Sequence, residues 1–158
     1  MYKILAVIPA RSGSKRLPKK NVKMLMGKPL IVYTIDSVKN STHVNRFIVS
    51  TEDRDIADVS RSYGADVFMR PLELAQDESS TDDVVINVLE KLSDSEHYIP
   101  DIIVLLQPTS PLRTTDDIDY AMSTFLDSSG DSLISVTEFD HTPYWAFRIE
   151  KGFLLPEF

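Results

Sequence analysis

Five consecutive apolar residues, Ile4-Leu5-Ala6-Val7-Ile8, β-branched at three positions, constrain the fold more than any other feature. A strand with no polar alternation is buried on both faces, as parallel strands are when helices cover each side. Phe47-Ile48-Val49 and Ile102-Ile103-Val104-Leu105-Leu106 read the same way, Leu133–Thr137 is a further strand candidate, and Asp66-Val67-Phe68 is a short one. Helical patterns lie between them. The first begins near Pro29, which suits a first helical turn, and carries Leu30, Ile31, Ile35 and Val38 on one side. The second covers about Arg54 to Tyr63 and stops at Gly64. The third starts after Ser80 or Thr81, with Asp82 and Asp83 in its first turn, and buries Val85, Val88, Leu89 and Leu92. The fourth starts near Thr114 or Thr115 and ends before Gly130.

This alternation predicts an α/β domain of three αβα layers around a mostly parallel sheet. Its 158 residues suffice for one core without metal or disulfide support, and there is no repeat or internal linker. Residues 1–140 read as the α/β domain and 141–158 as an aromatic tail of the same domain. In that tail Arg148–Phe153 forms a hairpin around Lys151-Gly152. Tyr144, Trp145, Phe147 and Phe153 are expected to pack on something, a partner subunit among the choices. The absence of cysteine excludes thiolate chemistry and fits a reducing compartment. The Ile4–Ile8 run is too short to span a bilayer and is followed at once by Pro9-Ala10-Arg11, so a cytoplasmic protein with no membrane partner is expected.

Charge is unevenly placed. The net charge of −7 argues against a nucleic-acid binder, yet eight of the 17 basic residues fall in the first 28 positions, where there is no Asp or Glu. Most of them follow the first strand, in Arg11-Ser12-Gly13-Ser14-Lys15-Arg16-Leu17-Pro18-Lys19-Lys20-Asn21. Ligands of open α/β sheets bind beyond the carboxyl ends of the strands. Gly13 between two serines would let successive amides turn inward as an anion nest, while Arg11, Lys15 and Lys20 bring full charges for a phosphate chain. The pattern is neither a Walker A loop nor the three-glycine dinucleotide fingerprint.

Ile8-Pro9-Ala10-Arg11-Ser12-Gly13-Ser14-Lys15-Arg16-Leu17-Pro18-Lys19-Lys20-Asn21, with Gly27-Lys28-Pro29-Leu30 after it, resembles the signature of the acylneuraminate cytidylyltransferases. Arg70-Pro71-x-Glu73-Leu74-Ala75, Asp77-x-Ser79-Ser80-Thr81 and Gln107-Pro108-Thr109-Ser110-Pro111-Leu112-Arg113 agree with it in order. The octulosonate synthetases open with a different basic loop and rank second. The resemblance implies a Rossmann-like sheet of the nucleotide-diphospho-sugar transferase type. It also implies a reaction in which an acidic nine-carbon sugar attacks the α-phosphate of CTP with Mg²⁺ assistance, in a homodimer.

By the same resemblance, Arg11 and Lys20 are the catalytic candidates. The nucleotide site would draw on Ala10, Arg11, Ser12, Gly13, Ser14, Lys15, Lys20, Asn21, Arg70, Ser80 and Thr81. Gln107, Thr109 and Ser110 would meet the sugar. Arg70 fits a structural ion pair equally well, Ser80 and Thr81 also suit a helix cap, and Arg113 fits either the sugar carboxylate or a structural pair. Asp116-Asp117-x-Asp119 reads as a capped helix start rather than a metal cluster, and His43, His97 and His141 have no metal or triad spacing. The resemblance places the family's metal-binding aspartates in a later Asp-x-Asp-type motif, before which this sequence ends at Phe158. A shortened form is therefore expected, as an enzyme or as a nucleotide-binding module without turnover.

Overall fold

A computed structural model describes residues 2–15, 17–76, 78–140 and 142–157; Arg16, Asp77 and His141 lie outside the described residues. In chain order the elements are β1 (Ile4–Pro9), a short hairpin of β2 (Met24–Leu25) and β3 (Lys28–Pro29), and α1 (Leu30–Lys39). Then come β4 (Arg46–Thr51), α2 (Arg54–Ser62), β5 (Asp66–Met69), α3 (Thr81–Glu96), β6 (Ile102–Leu105) and α4 (Thr115–Asp127). A second hairpin, β7 (Phe147–Glu150) with β8 (Phe153–Pro156), closes the chain.

The main sheet is parallel, in the order β5-β4-β1-β6, with Val7 opposite Ile48 and Ala6 opposite Val104. β1 sits inside it, which is why Ile4–Ile8 can be apolar throughout. Ile4, Ala6 and Ile8 pack into the layer formed by α1, α2 and α4, with Ile31, Ile35, Ile56 and Ile118. Leu5 and Val7 point the other way, onto Val88 and Leu92 of α3. Among the described residues, three helices thus cover one face and a single helix the other. Each fully buried Leu or Ile contributes about 1.5–3 kcal/mol of transfer free energy.

Helix starts follow local chemistry. The Asp53 carboxylate accepts from the Ile56 amide, Ser80 Oγ from the Asp83 amide, and Thr114 with Asp117 forms a reciprocal capping box. Gly64 closes α2 at φ +88°, and Lys151 and Gly152 turn the last hairpin with φ of 52° and 84°.

Three sequence expectations are corrected. The buried residues of α3 are Val84, Val88 and Leu92, with Val85 and Leu89 only half-buried, because α3 rests on the sheet through its i, i+4, i+8 row. β6 is not buried on both faces: Ile103 and Leu105 are more than two-fifths exposed, since the lone helix on their side covers β1 and β4 instead. Leu133–Thr137 forms no strand: among the described residues it pairs with no strand of the sheets, and Ile134 and Val136 are about four-fifths exposed. The aromatic tail is likewise open, with Trp145 71% and Phe153 71% exposed.

Candidate active site

The C-terminal ends of β1, β5 and β6 open into one cleft of about 500 Å³. β1 is flanked by β4, the next strand of the main sheet in the chain, on one side and by β6, its last, on the other. The cleft therefore lies where the strand order reverses, the usual ligand position in such sheets.

The loop after β1 supplies Arg11, Ser14, Lys15, Lys20 and Asn21 to the lining. Its shape is held from within: buried Asn21 donates Nδ2–H to the Arg11 carbonyl at 2.9 Å, and the Ala10 amide donates to the Ser50 carbonyl at 2.9 Å. Arg11 Nη1 reaches the Gln76 carbonyl at 3.1 Å and so ties this loop to the segment after β5. That segment adds Arg70, Gln76, Ser79 and Ser80, α3 adds Thr81 and Val84, and the loop after β6 adds Gln107 and Thr109. Ten of the residues expected at the site therefore meet in one cleft. Ser80 performs its cap and still lines the cavity.

Four expected residues do not line it. Ala10 is fully buried in the core below, and Ser110 lies on the far side of its loop, in the groove between β6 and α4. Ser12 and Gly13 do not form the expected anion nest. The Ser12 amide donates to Glu52 Oε1 at 2.7 Å, the Ser14 amide to the Ser12 carbonyl at 2.9 Å, and Gly13 is not in the left-handed region a nest needs. The positive charge of the cleft is chiefly that of its side chains.

Glu52 was not visible as a site residue in the sequence. It directly follows β4, so the strand-end rule could have found it. Its Oε1 accepts from both the Ser12 amide and Ser12 Oγ (3.0 Å), while Oε2 accepts from Arg70 Nη2 (2.8 Å) and Nε (3.2 Å). The two charged side chains are only 6% and 3% exposed. Burial pushes the Glu52 carboxyl up. Amide hydrogen bonds from Ser12 and from its own backbone, together with the Arg70 guanidinium, outweigh this and leave it below its ordinary value.

Arg70 thus takes the structural reading, as a buried ion-pair partner, and it also lines the cleft. Arg113 is structural too. Its Nη2 donates to the Gln107 carbonyl at 2.9 Å and holds the loop after β6, and burial pushes its guanidinium down while Asp117 acts in the opposite sense. Asp119 accepts hydrogen bonds from Ser41 Oγ and Thr42 Oγ1.

A parallel sheet with a cation-lined cleft at its reversal point defines an α/β domain with its ligand position at the strand ends. The chain belongs to the cytidylyltransferase family, whose model matches residues 5–147. It is 42% identical over 150 residues to the CMP-N,N'-diacetyllegionaminic acid synthase of Legionella pneumophila, a match covering 94% of this chain and 64% of the relative. It is also 42% identical over 123 residues to the N-acylneuraminate cytidylyltransferase of Escherichia coli O18:K1:H7, covering 78% of this chain and 28% of that protein. The chain thus spans less than two thirds of the length of either relative. Among solved structures, CMP:2-keto-3-deoxy-manno-octonic acid synthetase complexed with CTP superimposes with a TM-score of 0.68 at 27% identity, over 79% of this chain and 48% of that one.

Proposed function

We propose that this chain is a cytoplasmic CTP-dependent nucleotidyltransferase that activates a nonulosonic acid, a nine-carbon acidic sugar, as its CMP-sugar. The observation that carries the reading is the convergence of Arg11, Lys15 and Lys20 in a cleft whose described lining includes no carboxylate. A triphosphate entering it gains charge neutralisation along its length. In the reaction the anomeric hydroxyl forms a bond to the α-phosphorus, the bond to the β-phosphate breaks, and the hydroxyl proton passes to solvent. Such transfer depends on positioning and on stabilising the charge of the departing pyrophosphate. Arg11, Lys15 and Lys20 serve that charge, Ser80 and Thr81 the nucleoside, and Gln107 and Thr109 the sugar. Names of the relatives, which specify legionaminic and acylneuraminic acids, support the sugar class.

Mg²⁺ belongs to the reaction the family resemblance implies. Among the described residues no group of three or more His, Asp or Glu could hold a metal, and the cleft's described lining has no carboxylate. Mg²⁺ is usually bound through carboxylates and substrate phosphates. The described residues therefore do not fit a protein-held ion, and the neutralisation assigned to this chain rests on its own cations. A homodimer is part of the proposal, supported by the exposed aromatic surface of Tyr144, Trp145 and Phe153.

Pyrophosphate release from CTP with a panel of neuraminic, legionaminic, pseudaminic and octulosonic acids tests the reading. Turnover with a nine-carbon acid and not with the eight-carbon one is expected. Calorimetry that detects no CTP binding sinks it. CTP binding without turnover on any sugar leaves a nucleotide-binding module in place of the enzyme.

A further inference from the structure

Glu52 does more than pair with Arg70. A partner for buried Arg70 needs only one carboxylate oxygen, and Oε2 alone accepts both Arg70 donors. The other oxygen is given entirely to Ser12, which contributes its amide and its hydroxyl. Ser12 stands between Arg11 and Ser14, both in the lining, and Arg70 lines the cleft from the far side of β4. One buried side chain at the end of β4 thus bridges the loop after β1 and the segment after β5. With both its oxygens engaged and only 6% of it exposed, it has little freedom to let either move alone.

We propose that Glu52 is a positioning residue of the nucleotide site, holding the Ser12 loop and Arg70 in the one arrangement that accepts the triphosphate. This role rests on reading the cleft as a CTP site. It makes a prediction opposite in sign to simple electrostatics. Glu52 is a negative charge behind an anion site, so Glu52→Gln, which removes that charge, should tighten CTP binding if charge alone matters. A glutamine has one acceptor oxygen in place of two and must release either Ser12 or Arg70, which weakens binding if positioning matters.

The test is calorimetric titration of the full chain with CTP, alongside amide hydrogen exchange without nucleotide. Glu52→Gln is expected to bind CTP at least about tenfold more weakly, given the cost of misplacing a binding group by an ångström. Its Ser12 amide should exchange at least about tenfold faster, with the amides of β4 unchanged. Glu52→Asp, which keeps the charge and both acceptors, should restore part of the affinity; if Glu52→Gln does not fold cooperatively, the aspartate variant should still bind less tightly than the unsubstituted chain. Binding by Glu52→Gln as tight as that of the unsubstituted chain, or tighter, overturns the role of Glu52 and leaves the CTP reading standing. So does affinity in Glu52→Asp equal to that of the unsubstituted chain. Absence of CTP binding by the unsubstituted chain overturns the CTP reading, and this role falls with it.

Discussion

Lys19 pairs with Asp55 on the outer surface at 2.5 Å, whereas Lys20, the next residue, lines the cleft. The backbone separates them: Lys19 sits in the left-handed region at φ 53°, and a short 3-10 turn begins at Lys20. The same division runs through the other cations. Lys28 is paired with Asp36 away from the cleft, while Arg11, Lys15 and Arg70 line it. Identical charge in one stretch of sequence therefore has two uses, decided by which side chains the strand ends gather. A pair exposed on both sides contributes about 0–1 kcal/mol, whereas a cation aimed into a partly enclosed cleft acts on a ligand in a lower dielectric.

The division can be broken by four measurements. Arg70→Ala should have the largest effect on the fold, about 3–5 kcal/mol in urea denaturation, because it leaves the Glu52 carboxylate buried without its cation. A loss below about 1 kcal/mol would place Arg70 with the surface cations instead. Lys20→Ala should cost about 10²–10³ in pyrophosphate release with an unchanged melting temperature; a change under about threefold would remove Lys20 from the site.

Acid should act through Glu52. Its folded-state carboxyl lies below the ordinary value, so the stability it contributes is complete above about pH 5. That contribution fades as pH falls through the unfolded value of about 4.3 toward the lower folded one. Urea midpoints from pH 7 to pH 3 should show this loss in the unsubstituted chain and a shallower one in Glu52→Gln. Parallel curves would mean the carboxylate is not perturbed. Lys19→Ala, the smallest change, should leave the urea midpoint where it is and alter CTP affinity by less than about twofold.

What could be read from the sequence is what local physics decides. The Ile4–Ile8 run, the caps at Ser80 and Thr114 and the Lys151-Gly152 turn each depend on a few adjacent residues, and each stands where expected. The cleft was legible through the loop after β1 and the resemblance, down to Gln107 and Thr109. Pairings across the chain were not. Nothing near Ser12 says that its amide will meet Glu52, 40 positions later, instead of turning inward with Gly13. Likewise Leu133–Thr137 has strand composition, but a strand is a property of two segments, and among the described residues it joins no ladder. Ile103 and Leu105 fail for the same reason: what covers them depends on how few helices lie on that face.

The placement of β1 also governs when the molecule can assemble. Ile4 pairs with Ile102 and Leu5 with Ile103, so the first strand made finds one of its two neighbours only after nearly a hundred more residues exist. At about 5–20 residues per second on the ribosome, that edge of β1 waits on the order of 5–20 s, with only β4 able to pair in the interval. Late closure of this kind makes for slow folding, and it leaves the most apolar segment of the chain half-paired during synthesis.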